Sequence, residues 1–313
     1  MQAVQIKRYG TKDTLEITEV DKPIAKANQV LIEIHSSSVN PIDWKLRNGS
    51  MKFLIPLSFP VVLGFDLSGV VVEVGKDVQK FKPGDAVYSR SNTKSGGTYA
   101  EYIALDESVV CHKPSNMPHE EAAAVPLAAL TALQGMRDKG NLQSGQKVLI
   151  NGASGGVGIY AIQIACAMGA EVVGVCSAAN ADLVKSLGAS RIIDYKTENP
   201  IAEGIQYDQI FDAVASLDFS KAKKAMKPGA TLITTVPNFS VIWGMLTNFF
   251  SSQKAEFIMV SSNGSDLQYL KGLAEEGKLK SIIDSTFSLT QIKDAHERSE
   301  SGRVKGKVVV KVK

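Results

Sequence analysis

Three observations predict an α/β chain in which a doubly wound parallel sheet adjoins a β-rich region. From Gln146 onward, apolar strands alternate with helices. A glycine-rich turn stands at the first strand-to-helix junction, at residues 151–158. Before residue 118 the texture differs: short runs of Val, Ile, Tyr and Thr are separated by Gly, Pro and Asp, with little helical periodicity.

In the first region, VLIEIHSSSV (30–39), GVVVEVG (69–75), DAVYSR (85–90) and TYAEYIAL (98–105) read as strands of a barrel-like β domain. FKPGDAV (81–87) sets a Pro-Gly turn directly before a strand. HEEAAAVPLAALTALQGM (119–136) is rich in Ala and Leu and reads as helix, with Pro126 a kink or junction. KVLING then leads into helix GIYAIQIACAMG, strand EVVGVC, helix ANADLVKSLG, strands RIIDY and QIFDAV, helix FSKAKKAMKPG and strand TLITTV. That alternation belongs to a parallel sheet covered on both faces. Helix DLQYLKGLAEEGK and the tail GKVVVKVK return the chain to the β domain.

Bulk properties bound the function. A chain of 313 residues suits two domains. Its 44% hydrophobic and 21% charged residues are ordinary for a soluble globular protein. The net charge is +3 and the lysines are scattered, which argues against a nucleic-acid partner. Cys111, Cys166 and Cys176 are too few and too spread for a disulfide framework, so reduced thiols are expected. Met1 runs within a few residues into strand-like VQIKRYG, which reads as having no signal or transit segment. A cytoplasmic location is the expectation, or a plastid or other organelle if a transit peptide has been removed. Residues 236–250 are unusually apolar, but about 15 residues fall short of the roughly 20 that span a bilayer. Three readings stand for them: a substrate-pocket lid, an interface in a homodimer rather than a monomer, or peripheral membrane contact. The last lacks the basic face that an interfacial helix usually carries.

The glycine-rich turn is the strongest chemical signal. Strand KVLI (147–150) runs into Gly152, Ala153, Ser154, Gly155, Gly156, Val157 and Gly158, and then into a helix. Small residues let the backbone turn tightly and approach a pyrophosphate, whose charge meets N–H groups at the helix start. A plain turn is the alternative, and the βαβ series that follows favours a nucleotide. The next strand ends in Ser177, Ala178, Ala179 and Asn180, without the carboxylate that commonly holds the ribose hydroxyls of NAD. Ser177 can donate to a 2′-phosphate, and Tyr195 and Lys196 follow the third strand near the adenosine end. NADPH is therefore the expected cofactor, with nearby Asp182 and the lack of an Arg at the tip counting against it.

These segments together resemble the quinone oxidoreductase branch of the medium-chain dehydrogenase/reductase superfamily. The motifs, in chain order, are SVNPIDWKLRNG (38–49), GFDLSGVVVEVGKDVQKFKPGDAVY (64–88), GGTYAEY (96–102), AAAVPLAALTAL (122–133), ASGGVG (153–158), SLGASRIIDYK (186–196) and GKVVV (306–310). NPIDWK and EGKLKSIIDS (276–285) look closest to plant-type chloroplast quinone oxidoreductase homologues and enone or alkenal oxidoreductases. The resemblance implies a Rossmann domain (122–263) and a GroES-like β-barrel domain formed by both chain ends (1–121 and 264–313), with the catalytic cleft between them. It also implies NADPH-dependent reduction of a small hydrophobic enone or alkenal. Alternatives are a quinone reductase on the same site and a non-catalytic NADPH-binding protein of crystallin or scaffold type.

No metal is expected. The zinc alcohol dehydrogenase relatives carry G-H-E where this chain has Gly64, Phe65 and Asp66, and their structural cysteine quartet is missing. His35, His112, His119 and His296 show no mutual ligand spacing, and adjacent Cys111 and His112 on a strand point to opposite faces. The proposed reaction leaves an enolate or hydroquinone anion that needs hydrogen-bond donors.

Asn40, Asp43 and Lys45 are the catalytic candidates: Asn40 as donor to a carbonyl or carboxamide, Lys45 as stabilising cation, Asp43 as its orienter. The bland readings are a turn at Asn40-Pro41 and a solvated Asp43/Lys45 pair. Thr131 resembles the branch's cofactor-facing threonine, or is a helix hydroxyl bonded to its own backbone. Val236 and Pro237 end the last expected strand, where relatives place backbone against the carboxamide. Asp66 is read as structural, and Arg303 and Lys307 as exposed tail residues, the alternative being that they reach the cofactor cleft. Trp44, Phe53, Phe65 and residues 243–250 are candidates for an apolar substrate pocket.

Overall fold

Strand-helix alternation in the second half of the chain builds a six-stranded sheet in which every pairing is parallel. Across the sheet lie Arg191–Asp194, Glu171–Cys176, Lys147–Asn151, Tyr207–Asp212, Met226–Thr234 and Lys254–Phe257. Counted along the chain, that order is 3-2-1-4-5-6, and it reverses between the first and fourth strands. Doubly wound sheets bind ligands beyond the carboxyl ends of their strands at such a reversal. Leu149, Val173, Ile210, Leu232 and Ala255 are buried from the sheet, with Phe219 and Val241 packed against them.

This computed structural model describes residues 1–202 and 204–313, without the side chain of Phe250. The chain divides into two units, residues 1–127 with 261–313, and residues 128–260. In the first unit, Gln29–Val39 pairs antiparallel with Asp66–Val74, Tyr102–Asp106 and the C-terminal strand Lys307–Lys311. These belong to a seven-stranded sheet, and Glu16–Glu19, Gln2–Ile6 and Val61–Val62 form a second, three-stranded one. The pairing of Val308 with Val39 and Val310 with Ser37 closes the unit from both chain ends.

Some elements differ from the sequence reading. FSKAKKAMKPG is helical only over Phe219–Ala222, with a single tighter turn at Lys223–Ala225. Met226 already pairs with Tyr207, and Pro228-Gly229 cannot extend a helix, Gly229 having φ +84°. The strand expected to end at Val236 stops at Thr234, which leaves Val236 and Pro237 in the following turn. Lys254–Phe257 is a further strand that its four residues did not announce. NPIDWK, read as a turn or cleft segment, opens the helix Pro41–Arg47.

Candidate cofactor and catalytic residues

The glycine-rich loop leaves the strand Lys147–Asn151 and enters the helix Gly158–Ala167. Gly152 has φ +80°, a conformation that excludes most side chains, and a Cβ at Gly158 would stand 2.1 Å from the Gly152 carbonyl oxygen. The first turn of the helix is thus packed on backbone. At Gly155 a Cβ would meet only that same oxygen, at 3.3 Å, so a methyl there would fill open space above the loop. Ala153 N–H donates to Val175 O at 2.9 Å, tying the loop to the neighbouring strand.

The loop's second tie is a side chain. Asn180 Nδ2 donates to Ser154 Oγ at 3.0 Å, and buried Asn180 Oδ1 has no partner. An orphaned buried carbonyl is costly and asks for a donor from outside. Ser177, half-buried, precedes Asn180 in the same turn. Tyr195 is exposed beyond Arg191–Asp194, and Lys196 donates its backbone N–H to Asp194 Oδ1 at 3.0 Å. Open space at Gly155 and no carboxylate at the tip beyond Cys176 suit a dinucleotide. Thr131 is buried on the helix Pro126–Gln134.

The catalytic candidates belong to the other unit, where a buried polar cluster gathers at one end of Gln29–Val39. Asp66 is its hub. Its Oδ2 accepts from Ser38 Oγ and Asn40 Nδ2, each at 2.8 Å, and from Lys307 Nζ at 3.4 Å; its Oδ1 accepts from Leu127 N–H at 2.7 Å. Lys307 also donates to Asn40 Oδ1. The Asn40 amide is therefore held at both ends, with one Nδ2 hydrogen given to Asp66 and the second left over. Lys307, read from sequence as an exposed tail residue, is 3% exposed, because Lys307–Lys311 is an inner strand of the sheet. Burial lowers the pKa of its ammonium, and Asp66 and Asp43 oppose that shift.

Asp43 does not orient Lys45. Its Oδ2 accepts from the Asn40 N–H at 2.7 Å and from Tyr99 Oη at 2.9 Å, and Oδ1 is buried without a partner. The carboxyl thus closes the first turn of its own helix, with Asn40 as cap and Pro41 in the first turn. Burial pushes its pKa up to about 7. Lys45, two residues on and hence on another helix face, places its ammonium 5.5 Å from the Trp44 ring centre. Beneath the same helix, Arg47 Nη1 lies 3.2 Å from His296 Nδ1, its Nη2 2.6 Å from Glu300, and its Nε donates to Gly10 O at 3.3 Å. Sequence reasoning missed Tyr99, His296 and Lys307 as members of this cluster. The N-P-x-D spacing was the one local signal, since Asn, Pro and Asp are residues for the cap, first and third positions of a helix.

The pocket aromatics divide. Phe65 is core, with the Arg90 guanidinium 5.2 Å from its ring centre, while Trp44 is half-buried and Phe53, Trp243 and Phe249 are exposed. The side chain of Phe250 lies outside the described residues. His35 and His119, distant in sequence, meet with ring centroids 4.4 Å apart, and His119 Nδ1 lies 2.8 Å from Ser68 Oγ. Burial pulls His119 down to about 4, so it is neutral near pH 7. Cys111 faces Gln268 and is pushed up to about 11, while His112 is exposed on the adjoining position. Among the described residues, no group of three or more His, Cys, Asp or Glu side chains could hold a metal ion.

A parallel 3-2-1-4-5-6 sheet with a phosphate-type loop, carried with a β unit made from both chain ends, defines a dehydrogenase or reductase class. The family model for an alcohol dehydrogenase GroES-like domain matches residues 26–115, and one described as zinc-binding dehydrogenase matches 187–310. A chloroplastic quinone oxidoreductase of Triphysaria versicolor is 37% identical, covering 99% of this chain and 98% of its own length. A 2-methylene-furan-3-one reductase of Solanum lycopersicum is 36% identical over 99% of this chain and 79% of that protein. The quinone oxidoreductase structure from Coxiella burnetii superposes with TM-score 0.90 at 32% identity, covering 100% of this chain and 99% of that one. The chain belongs to the medium-chain dehydrogenase/reductase family, among its quinone and enone oxidoreductases.

Proposed function

We propose that this oxidoreductase is an NADPH-dependent, zinc-independent reductase of the double bond in α,β-unsaturated carbonyl compounds. The observation that carries the reading is the turn beyond Cys176, where Ser177 and Asn180 stand and no carboxylate does. A carboxylate there would repel the 2′-phosphate, and a hydroxyl and an amide do not. The enone class is supported by the tomato relative's name, and a quinone acceptor, the second reading, by the names of the other two. Phe65 in the core, where the zinc alcohol dehydrogenase relatives carry histidine, supports independence from zinc.

Bound NADPH would supply hydride to the electrophilic carbon. The segment Gly152, Ala153, Ser154, Gly155, Gly156, Val157 and Gly158 binds the pyrophosphate on backbone N–H groups. Ser177 donates to the 2′-phosphate, Tyr195 flanks the adenosine, and Asn180 fixes the turn that carries Ser177. Thr131 and the backbone at Val236 and Pro237 meet the nicotinamide end. Asn40 presents its remaining Nδ2–H to the oxygen on which negative charge develops, held in one orientation by Asp66 and Lys307. Lys45 adds positive charge with no help from Asp43.

The test is turnover with NADPH on matched enones, 2-alkenals, benzoquinone and naphthoquinone. Faster turnover of enones supports the reading, and turnover of quinones alone moves the acceptor class. Tight NADPH binding with no turnover on any of them contradicts it in favour of a non-catalytic binding protein.

A further inference from the structure

The helix Phe239–Thr247 carries its apolar stripe outward. Phe239, Ile242, Trp243 and Leu246 fall at i, i+3, i+4 and i+7, one face of a helix, and are 82%, 47%, 61% and 71% exposed. The opposite face holds Val241, buried in the core, and Gly244, where a Cβ would stand 2.4 Å from the Phe219 ring. A helix in water normally turns its large apolar side chains inward.

Beside the stripe lies a basic flank that the sequence reading of residues 236–250 did not include. Phe219 N–H donates to Ser240 Oγ at 2.9 Å, which sets the segment 219–225 alongside the helix. That segment carries Lys221 and Lys223, and Gln253 Nε2 reaches back to Lys223 O at 3.3 Å, bringing Lys254 to the same edge. From residue 219 to residue 255 the sequence contains no Asp or Glu.

We propose that this helix seats the protein on an anionic lipid surface. The apolar stripe enters the boundary between headgroups and acyl chains, Trp243 sits at headgroup depth, and the lysines meet lipid phosphates. Nine helical residues span about 14 Å, well short of the hydrocarbon core, so the helix lies on the membrane without crossing it. A second copy of the chain is the other occupant, and the test below separates it from a lipid surface.

The test uses the full chain with vesicles of phosphatidylcholine alone and of phosphatidylcholine mixed with phosphatidylglycerol. Sedimentation measures binding, and Trp243 emission is read in a Trp44→Phe background. We expect at least tenfold tighter binding to the anionic vesicles, with a blue shift of Trp243. Lys221→Gln and Lys223→Gln should each weaken that binding about fivefold. Phe239→Ser with Trp243→Ser should weaken it at least tenfold, with the thermal midpoint as the control for folding. If that apolar pair unfolds, the charge variants decide alone. Equal or negligible binding to both vesicle types overturns the proposal. So does a dimer, seen by light scattering, that Trp243→Ser converts to monomer while vesicles leave the Trp243 emission unmoved.

Discussion

Lys307 donates its ammonium to Asn40 Oδ1 at 2.5 Å, across 267 positions of the chain. The same ammonium lies 3.4 Å from Asp66, which is fully buried. One cation from the C-terminal strand thus compensates the hub carboxylate and fixes the Asn40 amide.

Removing that cation should therefore cost far more than a surface charge. Lys307→Met leaves the Asp66 carboxylate buried and uncompensated, and we expect a loss of about 3–5 kcal/mol in urea unfolding. Adding Asp66→Asn should restore part of it, because the two changes share one interaction. Additive losses would show that the pair is not coupled.

Asp43 makes stability fall with rising pH. Its carboxyl is raised by burial from 3.8 to about 7, so between those values the folded chain holds a proton that the unfolded chain has released. This contribution is complete below pH 3.8 and lost as pH rises through about 7. Asp43→Asn should flatten that decline in denaturant midpoints measured across the window.

His296 acts in the opposite direction. Burial, with Arg47 beside it, lowers its pKa from 6.5 to about 3, so the folded ring stays neutral where the unfolded one takes a proton. Arg47 can only donate, which makes Nδ1 the acceptor and places the ring hydrogen on Nε2. Its contribution is complete above pH 6.5 and is lost as pH falls toward 3. His296→Gln should lessen the acid sensitivity, and an unchanged acid limb would refute this assignment.

The loop glycines should separate binding from folding. Gly155→Ala adds a methyl with one contact, at 3.3 Å, so the thermal midpoint should hold while the KM for NADPH rises about tenfold or more. Gly158→Ala, at 2.1 Å from backbone oxygen, should lower both stability and cofactor binding.

Local patterns carried most of the fold. Strand-helix alternation and the 152–158 turn foretold the parallel sheet, because each strand and its crossover are written in consecutive residues. The candidate site was legible only in part. Asn40 and Asp43 were found by their spacing, yet their roles as cap and third helical residue were overlooked, and Asp43 was paired with Lys45 by proximity in sequence alone. Lys307, Tyr99 and His296 reach the cluster through long-range strand and helix packing, which no local window records. The lysines beside Phe239–Thr247 escaped for the same reason, being on a neighbouring element.

The most direct measurement is loss of NADPH absorbance with an enone acceptor, using protein stripped of metal, with NADH and Ser177→Asp run in parallel. We expect turnover that chelator does not reduce and added zinc does not raise, a preference for NADPH, and a shift of that preference toward NADH in the variant. Activity that appears only with zinc, or a cofactor ratio that Ser177→Asp leaves unmoved, would contradict the proposed function.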